Sequence, residues 1–239
     1  MTFDQSEFNV RCEWGENGVS QLAPISDVVI IIDVLSFSTC VEIATNRGAT
    51  IFPYRWRDET AETFAHAMAA EFAGGRGRGA RYSLSPQSLL SVPEGARLVL
   101  PSPNGATLTL GTGETPTLAG CLRNYRAVAW AAQKYGKRIA VIPAGERWSD
   151  GSLRPAFEDW VGAGAIISEL TVSLSPEAGA ASAAFYHAKG EIEALIKLCG
   201  SGKELIVRGF VEDVVLAAGL NLSACVPTLV NGAYLRAAG

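Results

Sequence analysis

The 239 residues carry a formal net charge of -4, with 48% hydrophobic and 18% charged side chains, a balance that excludes a disordered chain. No run of Lys and Arg is present, which argues against nucleic-acid binding, because such binding needs clustered cations to displace counterions. The longest aliphatic run, Val28 to Ile32, falls far short of the ~20 apolar residues of a membrane span. The N-terminus lacks the basic-then-apolar order of a signal peptide, so neither a secretory leader nor an anchor is expected.

In chain order, FNVRCEW alternates like a strand and a short helix is expected after Gly15. SDVVIIIDV is an unbroken β-branched run, the form of a strand buried on both faces. Ser38 to Arg47 reads as a helix closed by Gly48, Ala49 to Tyr54 as a strand, and Asp58 to Phe72 as a helix with Asp58 at its N-cap. GGRGRGARYSLSP is a glycine-rich, basic loop that reads as mobile. Arg97 to Pro101 is a short buried strand followed by a helix over Asn104 to Leu110. TPTLAG is a strand followed by a helix over Asn124 to Tyr135, and Arg138 to Pro143 a strand followed by a helix over Pro155 to Leu170. Pro176 to Leu220 is helical in pattern, and ACVPTLV adds a last strand. No fixed-period repeat and no Pro/Ser-rich linker interrupts this order. The alternation predicts one α/β domain over 1–239, a three-layer α/β/α arrangement with a mostly parallel, at most mixed, central sheet.

Ligands of open parallel sheets bind at the carboxyl ends of the strands. The first of these ends at Asp33, which follows five aliphatic residues and is costly to ionise without a cation or several N–H donors. A metal ligand or nucleophile is one reading; a helix N-cap or an ion pair with Arg is the other. Ser38, Thr39 and the Ser102–Thr107 segment, with Ser102, Asn104 and Gly105, place hydroxyls and small residues at helix starts. Such starts serve oxyanion binding or ordinary capping. Arg123, Asn124 and Arg154 follow later strands, and the two guanidinium groups suit phosphate or sulfonate as well as surface ion pairs. Glu158 and Asp159 open a helix, where carboxylates either suit the dipole or join Asp33 on a hard cation.

Other patterns fail. CGSGKE lacks the first Gly and the Ser/Thr of a P-loop, GRGRGA follows a helix rather than a strand, and a DxDxT phosphatase loop is broken by Leu35. His66 and His187 lack metal-ligand spacing. Cys12, Cys40, Cys121, Cys199 and Cys225 form no CxxC pair and read as small hydrophobes in a reducing compartment, hence a cytoplasmic location.

IIDVLSFSTCVEIATNRGA, LVLPSPNGATL, AGCLRNYRAVA, PAGERWSDGSLRPAFEDWVGAGAI and SGKELIVRGFVEDV stand in this order. Together they resemble the 2-phosphosulfolactate phosphatase family over about Val28 to Tyr234. The resemblance implies an Mg²⁺-dependent phosphatase converting 2-phosphosulfolactate to 3-sulfolactate and phosphate, a step towards coenzyme M. The family's motifs fall on Asp33, on Asn104 and Gly105, and on Glu158 and Asp159. Many members carry Arg where this chain has Ser36, a departure that bears on substrate identity. The expected mechanism has Asp33 with Glu158, or with Asp159, holding the ion. Ser38, Thr39, Ser102, Asn104 and Gly105 then cradle phosphate, and Arg123 and Arg154 bind the substrate's acidic arm. Direct attack by water and a phosphorylated Asp33 both stay open. A non-catalytic binder of phosphorylated acids on the same fold is the rival. A homodimer is the commonest arrangement for such an enzyme.

Overall fold

The computed structural model describes residues 3–56, 58–77 and 79–237. The chain runs β1 (Val10–Cys12), α1 (Gly15–Leu22), β2 (Val28–Ile32), α2 (Phe37–Asn46), β3 (Thr50–Tyr54), α3 (Glu59–Ala67), β4 (Glu71–Phe72), α4 (Pro86–Leu89), β5 (Arg97–Pro101), α5 (Gly105–Gly111), β6 (Thr117–Gly120) and α6 (Tyr125–Ala132). It continues with β7 (Ile139–Pro143), β8 (Glu146–Arg147), β9 (Leu153–Arg154), α7 (Phe157–Ile167), α8 (Pro176–Ala188), α9 (Ile192–Leu198), α10 (Gly200–Val207), α11 (Val211–Ala218), β10 (Pro227–Val230) and β11 (Ala233–Arg236).

The aliphatic run of β2 lies inside the sheet, and its alternation feeds two cores. Val28, Ile30 and Ile32 pack with α6, α7 and α8, while Val29 and Ile31 pack with Val19 and Leu22 of α1 and Leu108 of α5. Helices therefore cover both faces, as the strand–helix alternation predicts. The nine-stranded sheet has the order β1-β7-β2-β6-β10-β11-β3-β5-β4. Two parallel blocks, β1-β7-β2-β6 and β3-β5-β4, are joined by the antiparallel hairpin β10–β11. The sheet is thus mixed, and the second block is inverted relative to the first. The loops leaving β2 and β5 nevertheless meet across the sheet. The backbone N–H of Gly105 donates to Asp33 Oδ2 at 2.8 Å.

Four local expectations are corrected. The helix expected over Asp58 to Phe72 keeps its Asp58 cap, whose carboxylate accepts from the N–H groups of Thr60 and Ala61, but it stops at Ala67. Ala69 sits at φ 48°, and Ala70 N–H reaches back to Ala65 O, so a left-handed C-terminal cap frees Glu71 and Phe72 to pair with β5. The helix after Pro155 begins at Phe157, with Ala156 at its N-cap. The short β8–β9 pair and β11 are additional strands. The glycine-rich loop turns inward: Gly74 bridges to Ser83, and Arg76 is largely buried against Asp213. Arg78 of that loop lies outside the described residues. No helix among those described is long and apolar enough to cross a membrane.

Helices α7 and α8 cross so closely that a Cβ at Gly164 would stand 1.9 Å from Ala181 O. Gly164→Ala should therefore cost about 3 kcal/mol of stability through overpacking, read as a lower urea midpoint at unchanged m-value.

Candidate active site

Five aliphatic residues deliver Asp33 to the carboxyl end of β2, where it is 5% exposed. Its Oδ1 accepts from Phe37 N–H at 3.0 Å, and its Oδ2 accepts from Gly105 N–H at 2.8 Å and from Ser102 Oγ at 3.4 Å. Among the described residues its partners are N–H and O–H donors, with no guanidinium among them. Gly105 is required by this approach: a Cβ there would lie 2.4 Å from the Phe37 ring and 2.8 Å from Asp33 Oδ2. The Leu35–Ser36 peptide bond that follows is cis.

Asp33 opens into a cavity of about 160 Å³ lined also by Ser36, Arg76, Ser102, Asn104, Glu146 and Arg208. A second cavity of about 330 Å³, with Trp14, Asn17, Arg147 and Leu153 in its wall, shares Pro103, Asn104 and Glu146 with the first.

The surroundings of Asp33 are acidic, although Glu158 and Asp159 are buried behind the cavity lining rather than in it. Burial raises the Asp33 carboxyl above its ordinary range, with the charge of Glu158 adding to the effect and the Phe37 and Gly105 N–H groups opposing it. Burial pushes Asp159 well up, reinforced by Glu158 and Asp33. Glu146 is raised to about 7, first by burial and then by Asp33, against the hydrogen bond it accepts from Asn104 Nδ2 at 2.9 Å. Glu158 Oε2 accepts from the Cys199 thiol at 3.2 Å, and that thiol, pushed up to about 12 mainly by burial, stays protonated. Asp159 ties the strand ends together, its Oδ1 accepting from Val34 N–H at 2.7 Å and its Oδ2 from Gly145 N–H at 2.9 Å.

Among the described residues no three His, Cys, Asp or Glu side chains converge tightly enough to enclose an ion. Magnesium needs no such cage, since it takes one or two carboxylates and completes its shell with water and phosphate oxygens. The carboxylate donors, with the neighbouring Cys199 thiol protonated, suit a hard cation of that kind.

The other predicted residues separate into two groups. Asn104 and Ser102 line the cavity, whereas Arg154 does not, donating instead at 3.3 Å to Ser201 Oγ, which does. Ser38 and Thr39 are wholly buried and committed to the backbone: Ser38 Oγ accepts from Asp33 N–H and donates to Ile31 O, and Thr39 Oγ1 donates to Val34 O. They brace the β2–α2 turn. Arg123 turns away to Glu42, Nε to Oε2 at 2.6 Å, and to Leu216 O. Asn124 bonds Cys121 N–H, Ala119 O and Cys225 O. Neither lines either cavity.

Among the described residues the cations that line Asp33's cavity are Arg76 and Arg208, the latter paired at 2.9 Å with Glu204 of the same wall, and Glu146 lines it as well; none of these four stood among the expected site residues. Arg76 Nη2 donates to Ser36 Oγ at 2.6 Å, and its Nε lies 3.2 Å from the buried Asp213 carboxylate. A guanidinium from the glycine-rich loop thus reaches the side chain of Ser36.

With divalent ions removed by EDTA, the raised carboxyls set the sign of the pH response. The folded protein holds a proton on Glu146 up to about 7, whereas an unfolded Glu releases it near 4.3. Stability on this account is fullest at acid pH and falls as pH rises through that window. Melting temperature should drop by roughly 5 °C between pH 5 and 8, and Glu146→Gln should flatten part of the slope.

The sequence model of the family described as 2-phosphosulpholactate phosphatase matches residues 17–232 of this chain. A protein named 2-phosphosulfolactate phosphatase from Methanothermobacter thermautotrophicus is 29% identical over 209 residues, covering 87% of this chain and 88% of its own. A "Probable 2-phosphosulfolactate phosphatase" from Carboxydothermus hydrogenoformans is 30% identical, covering 83% and 84%. One of the same name from Thermotoga petrophila is 27% identical, covering 90% and 96%.

Proposed function

This chain belongs to the 2-phosphosulfolactate phosphatase family, and from that premise we propose that it hydrolyses a small acidic phosphate ester with Mg²⁺, 2-phosphosulfolactate being the leading substrate. The observation that carries this reading is the presence of carboxylates and guanidinium groups in the wall of one cavity, Asp33 and Glu146 with Arg76 and Arg208. A dianionic phosphoryl group could not approach uncompensated carboxylates, whereas a divalent ion between them reverses the local potential.

Asp33 and Glu158 would hold the ion, with Asp159 fixing the β2 and β7 ends beneath them. When bound, Mg²⁺ neutralises charge that builds on the phosphoryl oxygens. Gly105 N–H and Ser102 orient Asp33. Arg76 and Arg208 offer guanidinium groups to the phosphoryl oxygens in Asp33's cavity, and Arg147 and Arg154 offer theirs to the sulfonate and carboxylate of the arm, which guanidinium groups can grip through paired hydrogen bonds. The five thiols, all free, support a reducing, cytoplasmic setting.

The test is phosphate release from 2-phosphosulfolactate and a panel of small phospho-acids, with Mg²⁺ and with EDTA. Release that needs Mg²⁺ is expected. Saturable binding with no release at any Mg²⁺ concentration would replace this reading with that of a non-catalytic binder.

A further inference from the structure

We propose that Glu146 is the general acid of this site, the side chain that passes its proton to the alcohol oxygen as it leaves phosphorus. The inference rests on the phosphatase reading and adds a catalytic residue to it.

Position is the first argument. Glu146 stands in the wall common to the two cavities, with Asp33, Arg76 and Arg208 on one side and Trp14, Asn17 and Arg147 on the other. A phosphate ester is likewise built in two parts, a phosphoryl group and an organic arm, joined by the bridging oxygen. With the phosphoryl group beside Asp33 and the arm in the larger cavity, that oxygen falls at the shared wall.

Asn104 is the second argument. It is the N-cap residue of α5, yet its side chain makes no capping bond, although an Asn cap is ordinarily worth ~1 kcal/mol. Its amide instead donates to Glu146 Oε2, which fixes the carboxyl and leaves Oε1 to carry the proton. Burial first, and then the charges of Asp33 and Glu158, disfavour the ionised form of Glu146, while the Asn104 amide and Arg154 favour it. This environment keeps a proton available near neutral pH.

The step balances. Water oxygen bonds to phosphorus, and the electron pair of the breaking P–O bond goes to the alkyl oxygen, which takes the proton of Glu146. The proton lost by the attacking water returns through solvent to restore the acid form.

Glu146→Gln keeps the shape and an acceptor for Asn104 but has no proton to give. In the full chain with Mg²⁺, two substrates are compared: 2-phosphosulfolactate, whose alkoxide leaves only with a proton, and p-nitrophenyl phosphate, whose phenolate leaves without one. Alkyl ester turnover should fall roughly 10²–10⁴-fold, aryl ester turnover should stay within about fivefold, and the descending alkaline limb of kcat/KM should disappear. Equal losses on both esters, or an alkaline limb that persists, would overturn the assignment and leave the phosphatase reading standing. A wild-type chain inert on both esters would sink that reading instead. The alkaline limb decides alone where the wild type turns over only the alkyl ester.

Discussion

Asp33→Asn is expected to lower Mg²⁺-dependent phosphate release on the order of 10³-fold, about 4 kcal/mol of transition-state stabilisation, in a protein that still folds. The substitution alters charge and hydrogen bonding together. Both carboxylate oxygens of Asp33 accept N–H donors, from Phe37 on one side and Gly105 on the other. An amide offers one acceptor and one NH₂, so one of those N–H groups would face a donor, at roughly 1–3 kcal/mol. Against that loss, removing a carboxylate that burial holds above its ordinary pKa relieves a desolvation cost. The two terms oppose, and melting temperature should move little compared with activity. Far-UV circular dichroism and urea unfolding check the fold, and phosphate release at saturating Mg²⁺ checks the chemistry. A folded variant that retains full turnover removes Asp33 from the mechanism and returns it to the role of a structural cap.

Asp33 was legible because a carboxylate after five aliphatic residues is anomalous in any fold. The strand-end rule also reached Ser102, Asn104 and Gly105, although the β5 block is inverted relative to β2. The same rule misdirected attention to Arg123 and Asn124, which also follow a strand, because sequence position says where a side chain starts but not which neighbour it meets. Glu42, buried 81 residues away on α2, claims Arg123. The residues missed had weak local signals. Glu146 follows β7, at a strand end the same rule marks out, but nothing in the sequence singles it out from its neighbour Arg147; Arg76 lies in a loop whose glycines suggested mobility, and Arg208 just beyond the end of a helix in a region read only as helical. Their convergence depends on tertiary contacts such as Asp213 with Arg76. The β10–β11 hairpin, in contrast, was available: Asn231 and Gly232 both hold positive φ, and Asn-Gly between apolar stretches is a strong two-residue turn signal.

Arg123→Met should destabilise the chain by about 3–5 kcal/mol and leave kcat and KM of the folded fraction unchanged. Glu42 is wholly buried, its Oε2 is held by Arg123 Nε at 2.6 Å, and its Oε1 has no hydrogen-bond partner among the described residues. Coulomb attraction to the guanidinium is therefore most of what offsets burying this carboxylate, and Arg123 also donates from Nη1 to Leu216 O at 3.2 Å. Without Arg123 the charge remains and its compensation is gone. The melting temperature should fall by about 10 °C at neutral pH. Adding Glu42→Gln should recover much of that loss, because replacing both members of a buried pair is commonly close to neutral. A substrate clamp would behave in the opposite way, raising KM at little cost in stability, with no rescue by a change at position 42. The double-mutant cycle therefore separates a buried brace on the α2–β6 side of the fold from the anion-binding role that sequence position alone suggests for this arginine.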